Sequence, residues 1–493
     1  MTDLEIMPGV SDPSVRDLLH RVTGIVGAAH VEPAAPNSSP LGFNSGGCRP
    51  RRVSALLRPR TVEHVRGVLR ACAQHSGVAS VHAFSTGRNW GLGSREPAGD
   101  VALALDLSAL DRIRAIDVAA GWAVIEPGVT QAQLAEAVAG SDRMVNVTVS
   151  TAQSSVLGNV LERGVGLRHQ RVDDLAGLEV VLPDGEVLRI GWWPDRERPT
   201  AVYPFGRGPS LLQLFVQSNL GVVTGAVVRL LPRPEALRIV RVTFRPESLA
   251  GAATLFRRWV TQELTSGVPK VFNPVAARGY GTEGGLAMAH LPVDGAAAKV
   301  AALTRIILAE ARDSGVFVEV SVDAEDPGSP HHEVTALVER AYLGDPDRND
   351  TLFRAKMGRV AEEIDEHVGF LFFLPVVPFS PHALVLAEQL LGDVTTATGV
   401  SCGATAHLLG PDHVDFVVAL RFTRSPDEVA RAHRALDLLY ASFTRAGFLP
   451  YRLDIDHHEW MDRCGDDPAT RRLLRRIKEF IDPRGVIAAG RYR

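Results

Sequence analysis

The stretch Phe84–Ser94, which reads FSTGRNWGLGS, decides how this sequence is interpreted. It follows a predicted strand and carries three glycines, Gly87, Gly91 and Gly93, between small hydroxyl residues. Because glycine tolerates positive φ angles, successive backbone N–H groups can turn inward and form an anion site suited to a pyrophosphate. The G-x-G-x-x-G spacing of a Rossmann fold is absent. Taken alone, the stretch is equally compatible with an ordinary glycine-rich turn.

Two later segments also place glycine where a ligand could approach the backbone. Ser154–Gly166 reads SSVLGNVLERGVG, with Gly158 and Asn159 near its centre. Phe215–Thr224 reads FVQSNLGVVT, and there Gly221 interrupts an apolar strand, which is typical of a close approach by another group. Each segment could be a simple turn or bulge, but their order and separations favour one shared site.

Composition limits the classes of function. The 493 residues are 45% hydrophobic, which predicts two or three domains with sizeable cores. Charges nearly balance, with 53 Lys+Arg against 57 Asp+Glu, so nucleic-acid binding is disfavoured. No signal peptide and no apolar run of membrane-spanning length are visible, and the four cysteines are too sparse for a disulfide framework. We expect a cytoplasmic protein with no membrane association.

Seven sequence blocks together carry a family resemblance. In chain order they are TGRNWGLGS, LDLSALDRI at Leu105–Ile113, VIEPGVT at Val124–Thr130, SSVLGNVLERGVG, LEVVLPDGEVLR at Leu178–Arg189, FVQSNLGVVT and IDPRGVIAAGRY at Ile481–Tyr492. In content and order these blocks resemble the vanillyl-alcohol oxidase and p-cresol methylhydroxylase flavoproteins. The resemblance covers most of residues 55–232 and about the last forty residues.

The resemblance implies an α+β fold. A discontinuous FAD-binding domain, made of two α+β subdomains and a C-terminal return, would enclose a cap domain built on an antiparallel sheet flanked by helices. We accordingly expect an N-terminal helix and irregular arm in residues 1–50 and the FAD-binding domain in 51–232. The cap would occupy 233–446, and the C-terminal return 447–493.

The resemblance also implies which residues hold FAD. Those around the pyrophosphate would be Ser85, Thr86, Gly87, Arg88, Asn89, Gly91, Leu92 and Gly93. Ser154, Gly158, Asn159 and Gly164 would line the flavin, and Gly221 with Val223 would lie by the adenosine end.

A tyrosine–arginine pair is the candidate for substrate binding. In the phenol-oxidising members such a pair near the C-terminus binds the phenolate oxygen, and FLPYRLDID places Tyr451 and Arg452 there. A guanidinium and a phenol hydroxyl aimed at one oxygen stabilise negative charge on it. The alternative is a surface strand with an ordinary arginine.

Three positions depart from the family pattern. Leu92 stands where phenol oxidisers have a second tyrosine, and Ser150 stands where the oxidase has a catalytic aspartate. A serine hydroxyl is not a strong base at neutral pH. Phe370 stands where the oxidase has the histidine that links covalently to flavin, and His367, three residues away, would face differently on a strand. We therefore expect FAD to be bound non-covalently. Leu92 argues against a phenolic substrate.

These features predict an FAD-dependent oxidase or dehydrogenase. It would oxidise a small alcohol, a phenolic or benzylic compound or a related natural-product intermediate by hydride transfer to flavin N5. Dioxygen or another acceptor would reoxidise the flavin, and the chain could form a homodimer. A metal is not expected, because the two histidine doublets, at residues 331–333 and 457–459, lack the H-E-x-x-H spacing.

Two other interpretations stay open. Gly399–Gly403, GVSCG, fits a hydrolase nucleophile elbow with Ser401 as the nucleophile, provided that a strand precedes it and a helix follows. Alternatively, the chain could be a flavin-binding homologue without turnover.

Overall fold

The computed structural model describes residues 12–35, 39–41, 44–75, 80–88, 90–194, 202–346, 368–464, 467–488 and 490–492. Its helices are α1 Pro13–Val26, α2 Val62–Gln74, α3 Gln131–Ala137, α4 Val156–Leu161, α5 Leu249–Thr261, α6 Pro274–Ala277, α7 Ala297–Asp313, α8 His332–Tyr342, α9 Pro381–Thr398, α10 Pro426–Arg445 and α11 Pro468–Ile481.

The strands up to the middle of the chain are β1 Val31–Pro33, β2 Val53–Leu57, β3 Val81–Phe84, β4 Val101–Asp106, β5 Ile113–Asp117, β6 Trp122–Ile125, β7 Arg143–Met144, β8 Leu175–Val181, β9 Val187–Gly191, β10 Val222–Arg229 and β11 Leu231–Pro232. The later strands are β12 Ala236–Phe244, β13 Lys270–Phe272, β14 Ala287–Gly295, β15 Phe317–Ser321, β16 Val368–Pro378, β17 Cys402–Leu408, β18 His413–Thr423 and β19 Pro450–Arg452.

A four-stranded sheet forms the first unit, in the order β1-β2-β4-β3. Strands β2, β4 and β3 run parallel, and α1 and α2 bury their apolar faces in its core. The end of the chain returns to this sheet: the N–H of Val81 donates to Val486 O at 2.7 Å, and the N–H of Ala488 donates to Val81 O at 2.7 Å. The C-terminal segment is therefore bound to β3.

A five-stranded antiparallel sheet, β5-β6-β10-β8-β9, forms the second unit. Every residue of β8 is buried, which explains its continuous apolar pattern around a single charged residue, Glu179. Glu179 accepts hydrogen bonds from Arg114, Arg189 and Thr224, so its charge is compensated inside the sheet. A short ribbon of β7 and β11 lies beside this unit.

An eight-stranded antiparallel sheet forms the third unit, in the order β15-β12-β14-β13-β17-β18-β16-β19. Helices α5, α7, α9 and α10 cover one of its faces. Because side chains alternate along a strand, Leu371 and Phe373 of β16 pack into that helical layer, whereas Phe370 and Phe372 face the opposite side. The α+β class and the helix-flanked antiparallel cap predicted from the sequence are confirmed.

The proposed domain limits fall at the ends of elements. Residue 50 precedes β2, residue 232 ends β11, and residue 446 follows α10. The segment that starts at 447 does not return directly to the first sheet, because its strand β19 pairs with β16 at the edge of the cap sheet.

The local order around Ser401 is wrong for a nucleophile elbow. Helix α9 comes before it and strand β17 after it, and Gly399 ends the helix with φ 72°. The residues VTTAT, interpreted from the sequence as a strand, are the last turns of α9. An elbow needs the reverse order, strand then helix, so the structure does not support the hydrolase interpretation.

Candidate active site

One cavity lies between the pocket-facing side of the cap sheet and the loops of the two smaller sheets. The loop after β3, the segment leading into α4, the start of β10 and strands β16 to β19 all contribute lining residues. Fourteen predicted site residues line it: Ser85, Thr86, Gly87, Arg88, Leu92, Ser150, Ser154, Gly158, Asn159, Gly164, Gly221, Val223, Tyr451 and Arg452. Gly91 and Gly93 do not line the cavity, and Asn89 lies outside the described residues.

The glycine-rich loop and α4 are held together by small polar side chains. The backbone N–H of Ser155 donates to Thr86 Oγ1 at 3.2 Å, and Ser155 Oγ donates to Pro127 O at 2.6 Å. A Cβ on Gly158 would lie 2.3 Å from Ser85 Oγ, so only glycine allows the two segments to approach this closely. Residues separated by about 70 positions in sequence thus form one wall.

The glycines of the loop serve different purposes. Gly87 and Gly93 have φ of 65° and 64°, the left-handed region that favours glycine. Gly91 instead permits close packing: a Cβ there would lie 2.5 Å from Phe372 Cδ2 of the cap. The expectation that Gly91 turns amides toward a pyrophosphate is therefore replaced by a steric role against the cap, whereas the conformation of Gly87 fits that expectation.

Elsewhere along the cavity, Gly221 and Gly164 also lie too close to their neighbours for any other residue to fit. A Cβ on Gly221 would lie 2.4 Å from Val180 Cγ1 of β8, and a Cβ on Gly164 would lie 2.2 Å from Asn159 Oδ1. Asn159 Oδ1 is buried and has no hydrogen-bond partner within the described part of the chain. A buried acceptor of this kind needs a donor, and a ligand in the cavity could supply one.

Tyr451 and Asp415 form a buried pair on the cap wall. Tyr451 Oη donates to Asp415 Oδ2 at 3.0 Å, and His407 Nδ1 lies 3.5 Å from the same oxygen. Burial and the adjacent Asp415 carboxylate raise the pKa of the Tyr451 hydroxyl well above its ordinary value, so it stays protonated. Since its single proton points at Asp415, the Tyr451 oxygen acts toward other groups as a hydrogen-bond acceptor, and Arg452 is one donor in contact with it.

Arg452 belongs to a second cluster, which the sequence analysis did not identify. Its Nη2 lies 3.7 Å from Glu162 Oε2, and Arg491 Nη2 lies 3.4 Å from the same oxygen. Tyr492 Oη donates to Glu162 at 2.7 Å. Burial opposes ionisation of Glu162, but the charges of Arg491 and Arg452 lower its pKa, so the carboxylate is retained. Glu162 therefore anchors Arg452, whose buried Nε has no hydrogen-bond partner among the residues described.

The three departures from the family pattern all lie at the cavity. Leu92 is buried in an apolar cluster with Leu374 and Val417, against which Tyr451 packs. Phe370 lines the cavity with its ring centroid 4.3 Å from that of Phe372. Ser150 Oγ lies 3.0 Å from Ser154 Oγ. His367 falls outside the described residues.

A row of polar side chains crosses the pocket-facing side of the cap sheet. In register order it runs Arg241, His290, Lys270, His407 and Asp415 over strands β12, β14, β13, β17 and β18. Lys270, His407 and Asp415 line the cavity and are 7%, 8% and 1% exposed. None of these three residues was among the site residues chosen from the sequence. The sequence pattern that could have identified them is an ionisable residue between apolar residues inside a predicted strand.

Several other polar and aromatic residues lie away from the cavity. Tyr280 packs against Phe272, and Arg421 is exposed at the end of β18. His457 is buried against Asp454 and stacks on Tyr440. In the described residues no group of three or more His, Cys, Asp or Glu side chains could hold a metal ion, and no helix is long and apolar enough to cross a bilayer.

The cavity fits FAD on structural grounds. Three features make a concave site there. Gly87 has a left-handed backbone conformation, Gly158 lets α4 approach the loop where a Cβ would collide, and Asn159 Oδ1 lacks a donor among the described residues. Residues 53–191 match the family described as FAD binding domain. The fold and the cavity thus define an FAD-dependent oxidoreductase.

Several proteins are similar to the chain over most of its length. The chain is 29% identical to the 1'-carboxy-chondrochloren decarboxylase of Chondromyces crocatus, with 90% of each chain covered. It is 26% identical to the 4-cresol dehydrogenase [hydroxylating] flavoprotein subunit of Pseudomonas putida, covering 89% of this chain and 87% of that one. The structure of the 4-ethylphenol oxidase from Gulosibacter chungangensis superposes with a TM-score of 0.86 at 22% identity, with 98% of each chain covered. Over most of its length the chain is therefore similar to flavoproteins of the vanillyl-alcohol oxidase and p-cresol methylhydroxylase type.

Proposed function

We propose that this protein oxidises a small organic substrate bearing a hydroxyl group, an alcohol or a phenolic or benzylic compound, with non-covalently bound FAD. The observation that carries the proposal is that Tyr451 and Arg452 line the same cavity as the residues of the concave site that fits FAD. When bound there, FAD would accept a hydride from the substrate at N5, and dioxygen or another acceptor would reoxidise it.

Tyr451 and Arg452 would hold the substrate oxygen from two sides. Because Tyr451 donates its proton to Asp415, its lone pair can accept a hydrogen bond from a substrate O–H. The guanidinium of Arg452 can donate to the same oxygen. As the substrate oxygen loses its proton to Tyr451, the proton of Tyr451 can pass to Asp415 Oδ2, so Asp415 acts as the base.

The relay takes over the role for which Ser150 is unsuited. Asp415 is 1% exposed, and the base is therefore shielded from solvent water. Leu92 supplies an apolar contact in place of a second tyrosine, which leaves Tyr451 and Arg452 as the groups that recognise the oxygen.

The names of the similar proteins indicate small organic substrates, and that of the 4-cresol dehydrogenase indicates oxidation. One acts on 4-cresol and another on a carboxylated chondrochloren. A homodimer and a cytoplasmic location are part of the proposal. The location is supported by Cys48, Cys72 and Cys402, which are buried and form no disulfide.

The test of the function is anaerobic reduction of the bound flavin. Purified protein under argon is mixed with a panel of benzylic, allylic and phenolic alcohols, and absorbance near the flavin maximum is followed. We expect at least one compound to bleach the flavin. Photoreduction without bleaching by any compound would favour a flavin-binding protein without turnover.

Non-covalent binding is tested by acid precipitation. Phe370, at the position of the linking histidine, cannot form that bond, so all FAD should be released to the supernatant. Flavin retained in the pellet would contradict this, and peptide mapping would then locate the link.

A further inference from the structure

A buried lysine on the cap wall takes no part in the proposed recognition of the substrate hydroxyl. Lys270 lies on β13, where its cross-strand neighbours are His407 and His290. It is 7% exposed and lines the cavity, whereas the next residue, Val271, packs into the helical layer on the other face. Strand alternation thus directs a lysine ammonium into a site that is largely shielded from water.

The distance between Lys270 and the Tyr451–Asp415 pair limits how long a substrate that contacts both can be. Two strand spacings separate β13 from β18, the strand of Asp415. At 4.7–4.9 Å per spacing, the backbones of these two strands lie about 10 Å apart. A compact molecule could therefore contact Tyr451 with one end and Lys270 with the other, and His407 lies between them.

Cations lie on both sides of His290 in the row, and one of them, Arg241, is paired with Glu319 at 3.1 Å and lies 3.9 Å from Asp323. Burial, then the charges of Arg241 and Lys270, lower the pKa of His290 to about 3, so a neutral imidazole separates two cations. In such a shielded region a cation attracts a ligand anion more strongly than it would at the surface.

We propose that Lys270 and His407 form a carboxylate-binding subsite, so that the substrate is a small organic acid whose hydroxyl is held at Tyr451 and Arg452. The inference rests on the proposed function for the orientation of the substrate. It adds the substrate class: a hydroxylated acid, in place of a neutral alcohol or phenol. Lys270 would supply the positive charge for the substrate carboxylate. His407 would contact the substrate between its carboxylate and its hydroxyl.

Binding to the oxidised holoprotein tests this without turnover. The probes are 4-hydroxyphenylacetate and 4-hydroxyphenylacetamide, which share a shape and differ in charge, and perturbation of the flavin spectrum gives each Kd. We expect the acid to bind at least about tenfold more tightly than the amide, as one charged contact implies. In Lys270→Met the preference should fall to about one, with the amide Kd changed less than about twofold.

Two further variants separate the subsite from general effects. Lys270→Arg keeps the charge and should keep a preference for the acid. Lys299→Met removes an exposed lysine from α7 and should match the parent. If Lys270→Met does not fold, the parent and Lys270→Arg ratios still decide the matter.

Several outcomes would overturn the subsite. Equal affinity of the parent for acid and amide would do so, as would an unchanged ratio in Lys270→Met or no spectral response to either probe. Loss of FAD from Lys270→Met would assign the ammonium to the cofactor instead. A protein that prefers the acid through Lys270 but is bleached by no substrate would contradict only the proposed function.

Discussion

The two walls of the cavity are lined by different types of residue. The wall from the two smaller sheets is rich in glycines and small hydroxyl residues, as at Gly87, Thr86 and Gly158. The cap wall consists of aromatic and ionisable side chains projecting from strands, as at Phe372 and Asp415. The first wall can hold a cofactor common to a whole family because backbone geometry, and not side-chain identity, defines it. The second can change its ligand by single substitutions.

The largest effect is expected from Gly158→Val on the first wall. The new side chain would collide with Ser85, since even a Cβ would lie 2.3 Å from its Oγ. FAD affinity should fall by roughly a thousandfold, about 4 kcal/mol. The ratio of flavin to protein absorbance after desalting measures this. Gly392→Val, in open space on α9, is the control and should keep its FAD. A fully loaded Gly158→Val would show that α4 does not contact the cofactor.

On the second wall, Arg452→Met should slow chemistry while leaving the cofactor in place. Methionine retains much of the side-chain stem and removes the donors that stabilise charge on the substrate oxygen. Loss of such a donor costs about 3 kcal/mol, so flavin bleaching under argon should be about a hundredfold slower. Arg434→Met, at an exposed position of α10, should match the parent. Bleaching at the parent rate would remove Arg452 from the site.

Tyr451→Phe should slow flavin bleaching about tenfold and Asp415→Asn about a hundredfold, because each interrupts the proposed proton relay and Asp415 is its base. Since the two side chains share one hydrogen bond, the double variant should be no slower than the slower single variant. Additive losses measured by stopped-flow would mean that the two residues act independently.

The smallest effect concerns the helical face of the cap sheet. Glu388 of α9 accepts a hydrogen bond from Asn273 Nδ2 at 3.3 Å, and burial raises its pKa to about 7 from an ordinary 4.5. The folded protein thus holds this proton more tightly than the unfolded chain. The resulting stability is fully present below about pH 4.5 and is lost as the pH rises through 7.

Glu388→Gln imitates the protonated acid at every pH. The variant should be more stable than the parent by about 1–3 kcal/mol at pH 8 and nearly equal to it at pH 4.5. Denaturant midpoints at both pH values measure the difference, with the exposed Glu283→Gln as the control. A gain of equal size at both pH values would show that titration of Glu388 is not its cause.

The sequence by itself determined the fold class and predicted which segments form the first wall. Segments such as 84–94 and 154–166 would hold FAD largely through local backbone conformation, so a contiguous motif is enough to predict them. It also marked Tyr451 and Arg452, because they lie next to each other in a segment that resembles the family.

Only the tertiary structure shows which residues come together on the cap wall. Lys270 and Asp415 are 145 positions apart, and their common row depends on the register of β13, β17 and β18. Glu162 meets Arg491 only because the end of the chain returns to the first sheet. The role of Gly91 likewise depends on Phe372 of the cap. Register and long-range packing depend on the whole chain, and no local pattern encodes them.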